Sequence, residues 1–531
     1  MRDLTFDSTN LYIRDRVQTF VDNVIIESVQ DISRRWHSPQ RHGDEPLIKQ
    51  DKPWEHLIYF TYPNYTVLRD PRDGLFKAWY EDMEQIPGRF TKSHVHHRAR
   101  QHYAESEDGI TWTKPELDNV TVDGRRTNIV LGSDEYGEAH SGNYIIDPYP
   151  PTPDERFRVL FSHWWEDDAG SYTRIECAHS PDGKHWTLYD EYPRFGLSGP
   201  QLNDVSVLFY DDDSREFVQN TRHFLQWAGD INPRTPHSPS FMGTMQPHNS
   251  LVYNQRRVWQ SRSHDFIHWS ELVPVAATDE QDNLDESYYG MKQFRLGSIN
   301  LATVGVFRGV DNEMEVQLLV SRDGIRWTNT NKRRPFLAPR GEGSWDAHMV
   351  SLTSAPIEVG DELYFYHGGT SAHHDWWLCD SETFPELPEN DKPGNVKFGL
   401  GLAKLRKDGY AGLYANKMRL GTIVTRALIS LGTELTINAG CAPGGSIKVE
   451  IADRMDEVVG NCSRENCDAF ASDAVAHKIT WKGDPTIPAG RESDVYWRKI
   501  RFFLDDAELY SFQFTGKEMD DRVSKQGTAE N

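Results

Sequence analysis

Cysteine is scarce in this chain. Five residues, Cys177, Cys379, Cys441, Cys462 and Cys467, are spread over 531 positions. So sparse and odd a set excludes a disulfide framework as the organising device. Cys462 and Cys467 can meet across a loop, but no His or Cys partner accompanies them at zinc-finger spacing. Basic charge is also short, with 58 Lys and Arg against 81 Asp and Glu and a formal net charge of −23. That balance excludes a nucleic-acid or anionic membrane partner, since both need basic patches. Long apolar runs are missing, so no transmembrane helix is expected. The opening stretch MRDLTFDSTN lacks the apolar core of a signal peptide. The chain as given therefore reads as cytoplasmic and soluble, or as secreted or periplasmic if a leader has been removed.

Aromatics are what the chain has in quantity, 12% of residues, with 16 Trp. Large flat side chains suit pleated sheet. They also suit sugar binding, where a ring face stacks on sugar C–H groups. Packing is the commoner use of any single aromatic, by about three to one.

A repeat organises the chain. Ser106-Glu-Asp-Gly-Ile-Thr-Trp112 recurs as Ser180-Pro-Asp-Gly-Lys-His-Trp186 and as Ser321-Arg-Asp-Gly-Ile-Arg-Trp327. Ser263-His-Asp-Phe-Ile-His-Trp269 is a degenerate copy, and Leu405-Arg-Lys-Asp-Gly-Tyr410 a weaker fifth. Asp-Gly supplies a turn, because glycine accepts positive φ and aspartate hydrogen-bonds its own backbone. Each copy thus joins two strands, and Trp starts the return strand. Two further strand-like runs precede each hairpin, as in Tyr65–Arg69 and Leu75–Tyr80. Four antiparallel strands repeated five times predict a five-bladed β-propeller over residues 50–415. Residues 1–49 carry a strand-like run, Phe20–Ile26, expected to pack on the first or last blade. From about Thr422 short strands such as Glu434–Asn438, Ser446–Ile451, Lys499–Leu504 and Leu509–Phe514 predict a C-terminal β-sandwich over 416–515, followed by a polar tail. The fold class is all-β.

Blade topology separates two ends. The Asp-Gly hairpins lie at one, so Asp108, Asp182 and Asp323 are turn formers. The other collects inner-strand starts and long loops: Asp82–Arg98 with His94, His96 and His97; Trp164–Asp168; His223–Arg257; and Gly368–Lys397 with His373 and His374. Function concentrates on such loops. Inner-strand starts include Glu55 or Asn64, His140, Asp204, Glu286, and Trp345-Asp346-Ala-His348. Carboxylates from different blades can converge there, as glycosidic bond hydrolysis requires. The expected roles are Glu286 as acid/base, Asp204 as nucleophile or base, and Asp346 as a third, substrate-orienting carboxylate. Arg222, His140, His348 and His367 are expected to bind hydroxyls, and Trp164 and Trp345 to stack. Glu176-Cys177 reads as structural. No ligand spacing is strong enough to claim a metal, so neither metal nor cofactor is expected, although the histidines at the mouth allow a divalent ion at His348, His367 or His374.

The hairpins, the five units and the closing Leu509–Phe514 strand resemble the superfamily of glycoside hydrolase families 32 and 43. Phe20-Val-Asp-Asn23 and Leu405–Tyr410 resemble uncharacterised bacterial family-32-like proteins. The resemblance implies a five-bladed fold, a funnel-shaped site, three acidic residues and an oligosaccharide partner. Family 32 members usually carry Asn-Asp-Pro-Asn-Gly in the first blade and Arg-Asp-Pro in the second. Here Arg69-Asp70-Pro71 falls in the first unit's scaffold-side turn. The reading is an exo-acting glycoside hydrolase on an oligosaccharide or an uncommon furanoside or anhydro-sugar. A non-catalytic sugar-binding propeller and a histidine- or metal-assisted hydrolase or lyase stay open, as does a homo-oligomer.

Overall fold

The computed structural model describes residues 11–91, 94–133, 137–167, 170–195, 206–223, 256–374, 389–391, 394–489 and 496–516. It is built from strands, with only single 3-10 turns among the described residues. No described helix is long and apolar enough to cross a membrane.

Five antiparallel meanders follow one another. Unit one is Tyr65–Arg69, Phe76–Thr91, His94–Ser106 and Ile129–Leu131. Unit two is Glu138–Ile146, Phe157–Asp167, Gly170–Ser180 and Thr187–Leu188. Unit three is Ser206–Asp211, Glu216–His223, Arg257–Ser263 and His268–Trp269, with Val273–Ala276 on its flank. Unit four is Glu286–Leu296, Ile299–Arg308, Glu313–Ser321 and Thr328–Asn329. Unit five has Met349–Ser351, Glu362–Thr370 and Phe398–Arg406 from its own stretch. Its fourth strand, Gln40–Arg41, comes from the N-terminal segment and pairs with Ala403–Lys404.

The units close into a ring through their inner strands. Thr66 Oγ1 accepts from the Tyr144 N–H at 3.2 Å, and Asn143 Oδ1 from the Leu208 N–H at 2.8 Å. Lys292 Nζ donates to the Leu208 carbonyl, and Thr303 Oγ1 to Leu352 O at 3.2 Å. Thr353 Oγ1 then donates to Tyr65 O, returning to unit one. Buried aromatics fill the gaps between units, as where Trp79 stacks on Tyr144 with centroids 4.9 Å apart.

The hairpins hold as the local chemistry predicts. In unit one Ser106 Oγ accepts from the Gly109 N–H at 2.8 Å, and Asp108 Oδ1 accepts from the N–H groups of Ile110 and Thr111. The same bonds recur around Ser180, Ser263 and Ser321. Gly183 sits at φ +80, and a Cβ there would lie 2.6 Å from the Trp79 ring. In the degenerate copy Phe266 takes the same left-handed conformation at φ 74. The fifth copy is different. Asp408 Oδ2 accepts from Ser511 Oγ at 2.9 Å, so it faces the C-terminal sheet.

The C-terminal strands differ from the separate short strands of the sequence reading. Glu434–Asn438 and Ser446–Ile451 are two arms of one strand, Glu434–Ala452, and Lys499–Leu504 and Leu509–Phe514 are arms of Trp497–Thr515. The two long strands pair along their length, with register shifts at Asn438/Ala439 and Cys441/Ser446. Such bulges bend a strand. A single core collects the inward residues of both arms, Leu435, Ile437, Ile447, Val449, Phe502 and Phe514 among them.

The N-terminal segment also departs from expectation. Phe20–Ile25 is not a strand. Four short strands, Leu11–Tyr12, Gln18–Thr19, Ile26–Gln30 and Ser33–Trp36, join the C-terminal sheet rather than a blade. Phe20 is buried in the C-terminal core, and Val21 in the core of units four and five. Successive side chains of this segment therefore seal two cores against each other.

Cys177, Cys441, Cys462 and Cys467 are free thiols, and Cys379 lies outside the described residues. Cys462 and Cys467 do not pair. Both are buried, and burial pushes the Cys462 thiol up to about 12.

Candidate functional site

Inner strands start, second strands end and third strands start at one end of each meander. The site candidates are built from those termini. Two of the loops expected there are hairpin extensions. Phe76–Thr91 pairs with His94–Ser106, and Phe157–Asp167 with Gly170–Ser180. The side chains of His94, His96, His97 and Trp164 lie outside the described residues; the Trp164 backbone pairs with Glu138. Asp204, most of His223–Arg257 and residues 375–388 also lie outside them.

In unit four, Glu286 opens the inner strand and is 8% exposed. The Asn283 backbone N–H donates to its Oε2 at 3.0 Å, and Asn283 Nδ2 to its Oε1 at 2.9 Å. Arg308 is its register partner on the second strand, and Glu313 faces Arg308 from the third. Arg308 Nη2 lies 3.4 Å from Glu313 and 3.7 Å from Glu315. Glu315 is buried and accepts from Gln317 Nε2 at 3.0 Å. Burial raises its pKa. Gln317 and Arg308 oppose the rise, and the Glu286 and Glu313 charges add to it. Sequence reading missed Glu313 and Glu315. Their signal was the alternation Glu313-Met-Glu315, which puts two carboxylates on one sheet face and Met314 in the core behind.

Asp346 is fully buried, and both its oxygens are taken by arginine. Arg41 Nε donates at 2.8 Å and Arg340 Nε at 2.6 Å. This corrects its expected part as a substrate-orienting carboxylate, because its oxygens face the guanidinium groups of the N-terminal strand and the preceding loop. Trp345, beside it, stacks on His367 with centroids 5.4 Å apart and 12° between planes. His367 is buried, and burial with the Arg41 charge pushes its pKa down to about 3. A buried neutral ring under an indole belongs to the packing of unit five. Among the described residues no hydrogen bond or ion pair joins Glu286 to Asp346, so the expected carboxylates do not meet as one triad.

His140 lies between two carboxylates. Nε2 is 2.9 Å from Glu138 and Nδ1 3.5 Å from Glu81. Burial disfavours its charged form, but Glu138 and Glu81 outweigh burial and lift its pKa to about 9. Glu81 is itself buried and accepts from Asn64 Nδ2 at 2.6 Å. Glu55 is committed elsewhere, bonded by Tyr80 OH and Lys114 Nζ. Arg222 lies over the Tyr289 ring at 4.4 Å, and the Tyr289 hydroxyl meets His374 Nε2 at 3.0 Å. His348 Nδ1 is 2.9 Å from Glu313, and its ring stacks on His373 at 3.8 Å.

Two sequence readings of scaffold residues agree with the geometry. Asp70 is buried, bonded by Arg156 of unit two and by Lys77 Nζ at 2.7 Å. The Arg69-Asp70-Pro71 triplet is thus a staple between two units. Glu176 accepts from His163 Nδ1 at 2.9 Å, with Arg174 alongside.

No family model matches the chain, and no curated protein matches it by sequence. Solved structures resemble it at low identity. An N-acetylgalactosamine deacetylase from F. plautii, solved with blood group B trisaccharide, is 14% identical over 71% of this chain and 96% of its own, with a TM-score of 0.42. A structure titled glycoside hydrolase is 14% identical over 70% and 92%, also at 0.42. A fructofuranosidase from Schwanniomyces occidentalis, complexed with fructosylnystose, is 12% identical over 89% and 98%, at 0.39. The functional reading therefore rests on this chain's own residues.

Proposed function

We propose that this protein is a glycoside hydrolase acting on an oligosaccharide, with Glu286 and Glu315 as its working carboxylates. One observation carries the reading: two buried glutamates, from the inner and third strands of unit four, lie on either side of one arginine at the end where the strand termini gather. Glycosidic cleavage needs one carboxylic acid to protonate the leaving oxygen and one carboxylate to attack or to activate water. Glu286 receives two N–H donors from Asn283, which suits the carboxylate. Glu315, buried among carboxylates with one amide donor, suits the acid. The acid role expected for Glu286 therefore passes to Glu315. Asp204 keeps its proposed part as nucleophile or base from unit three. Arg222 and His140 are proposed to hold sugar hydroxyls, and exo-action on a furanoside or anhydro-sugar stays part of the proposal.

The test is an oligosaccharide panel with reducing-sugar detection, comparing wild type with Glu286→Gln and Glu315→Gln. Each variant is expected to lose about 100-fold or more in rate, the usual scale of general acid–base help. Folded variants that cleave at the wild-type rate would sink the assignment. A wild type that cleaves nothing yet is retarded in polysaccharide gels would replace hydrolysis by binding.

A further inference from the structure

Glu313, His348 and His373 come from three separate strand termini. Glu313 starts the third strand of unit four, His348 precedes the inner strand of unit five, and His373 follows its second strand. One potential ligand atom from each lies within 4.8 Å of the other two. The two imidazole rings stack with centroids 3.8 Å apart and 24° between planes. Carboxylates surround them. Glu313 Oε1 is 2.9 Å from His348 Nδ1, Glu342 Oε1 is 3.3 Å from His348 Nε2, and Asp391 Oδ2 is 2.8 Å from His373 Nδ1.

The geometry points to a divalent metal site formed by Glu313, His348 and His373, selective for a zinc-like transition ion. Two stacked imidazoles cannot both carry a proton without repulsion. As neutral rings they present lone pairs to one region, and a single cation there satisfies both. The Asp391 carboxylate fixes the His373 ring from behind through Nδ1, the usual arrangement behind a metal-bound histidine, and leaves Nε2 to face the ion. Two nitrogens and one carboxylate oxygen match the donor set of open zinc sites, which keep a further position for water or a substrate hydroxyl. Imidazole favours zinc-like ions over calcium or magnesium, which prefer oxygen. Sequence spacing hid the set, because only the meeting of units four and five makes it. The site does not depend on the hydrolase reading.

The test is metal content and zinc calorimetry on chelator-stripped full-length protein. Wild type is expected to bind one zinc ion per chain, with calcium not competing. His348→Gln and His373→Gln are expected to weaken binding about 100-fold or more. Asp391→Asn should cost about 10- to 100-fold, as outer partners of metal ligands do. His264→Gln, an exposed histidine elsewhere, should bind like wild type. Unchanged zinc binding in both ligand variants overturns the site, as does calcium binding without zinc binding. Should the variants fail to fold, wild type decides alone. Cobalt(II) added to the stripped chain gives the visible bands of an imidazole-ligated ion, or stays without them and overturns the proposal.

Discussion

At the scale of single residues, charge decides what burial alone would not. Burial pushes His367 down, while Glu138 and Glu81 lift His140 in spite of burial. The His140 shift fixes a pH dependence. Its folded pKa, about 9, stands above the ordinary 6.5. The stabilisation is therefore complete below the ordinary value and is lost as pH rises through the folded one. Melting temperatures of wild type and His140→Gln should differ most near pH ~6 and converge above pH ~9. A constant gap across that range would show that His140 acts by packing. Arg41→Ala makes the opposite case. It leaves the Asp346 carboxylate fully buried with Arg340 as its remaining guanidinium partner. Removing one partner of a buried pair typically costs about 3–5 kcal/mol, and denaturant unfolding of the variant should read a loss on that scale.

At the scale of elements, the hairpin is the unit the sequence writes most clearly. Its serine, aspartate and glycine act on their own neighbours, so their bonds are legible without the fold. The glycine also answers to something distant. Gly183→Ala would place a left-handed residue's Cβ 2.6 Å from Trp79 of the neighbouring unit. We expect a loss of roughly 1–3 kcal/mol, read as a lower denaturant midpoint with an unchanged slope. A neutral result would mean that Trp79 yields. Phe266 shows the limit of the motif. It holds the same conformation without glycine, because its ring packs on Trp269 and Phe217 in the core between units two and three. The long strands were harder to read. Glu434–Ala452 looks like two strands because residues 442–445 interrupt its alternation, yet its partner Trp497–Thr515 bends with it and keeps the pair continuous.

For the whole molecule, closure is the governing feature. Gln40–Arg41 completes unit five, and Leu11–Trp36 threads the C-terminal sheet. Arg322 grips Asp22 through two hydrogen bonds of 2.9 and 2.8 Å, and Arg406 reaches Asn438 and Asp473. Ring and C-terminal sheet are thus tied by one N-terminal strap. Calorimetry of the full chain should show one transition. Removing residues 1–42 should lower its midpoint sharply or leave the chain insoluble, because the edge of Phe398–Arg406 and the core around Phe20 would both be exposed. Two well-separated transitions in the intact chain would contradict that coupling.

The sequence by itself determined what near neighbours control: all-β character, the hairpin repeat and its bonds, five meanders, and the assignment of Asp108, Asp182 and Asp323 to scaffold. Turn chemistry and alternation act over a few residues, so they can be read along the chain. Only the tertiary structure decided which strand closes unit five and which polar groups meet. Asp346 looked like a site residue because it opens an inner strand, but Arg41, far away in sequence, claims it. Glu315, and the set of Glu313, His348 and His373, were invisible because their meaning is a distance between strand termini. Such a distance is set by how twisted sheets pack around a ring, and no local pattern encodes it.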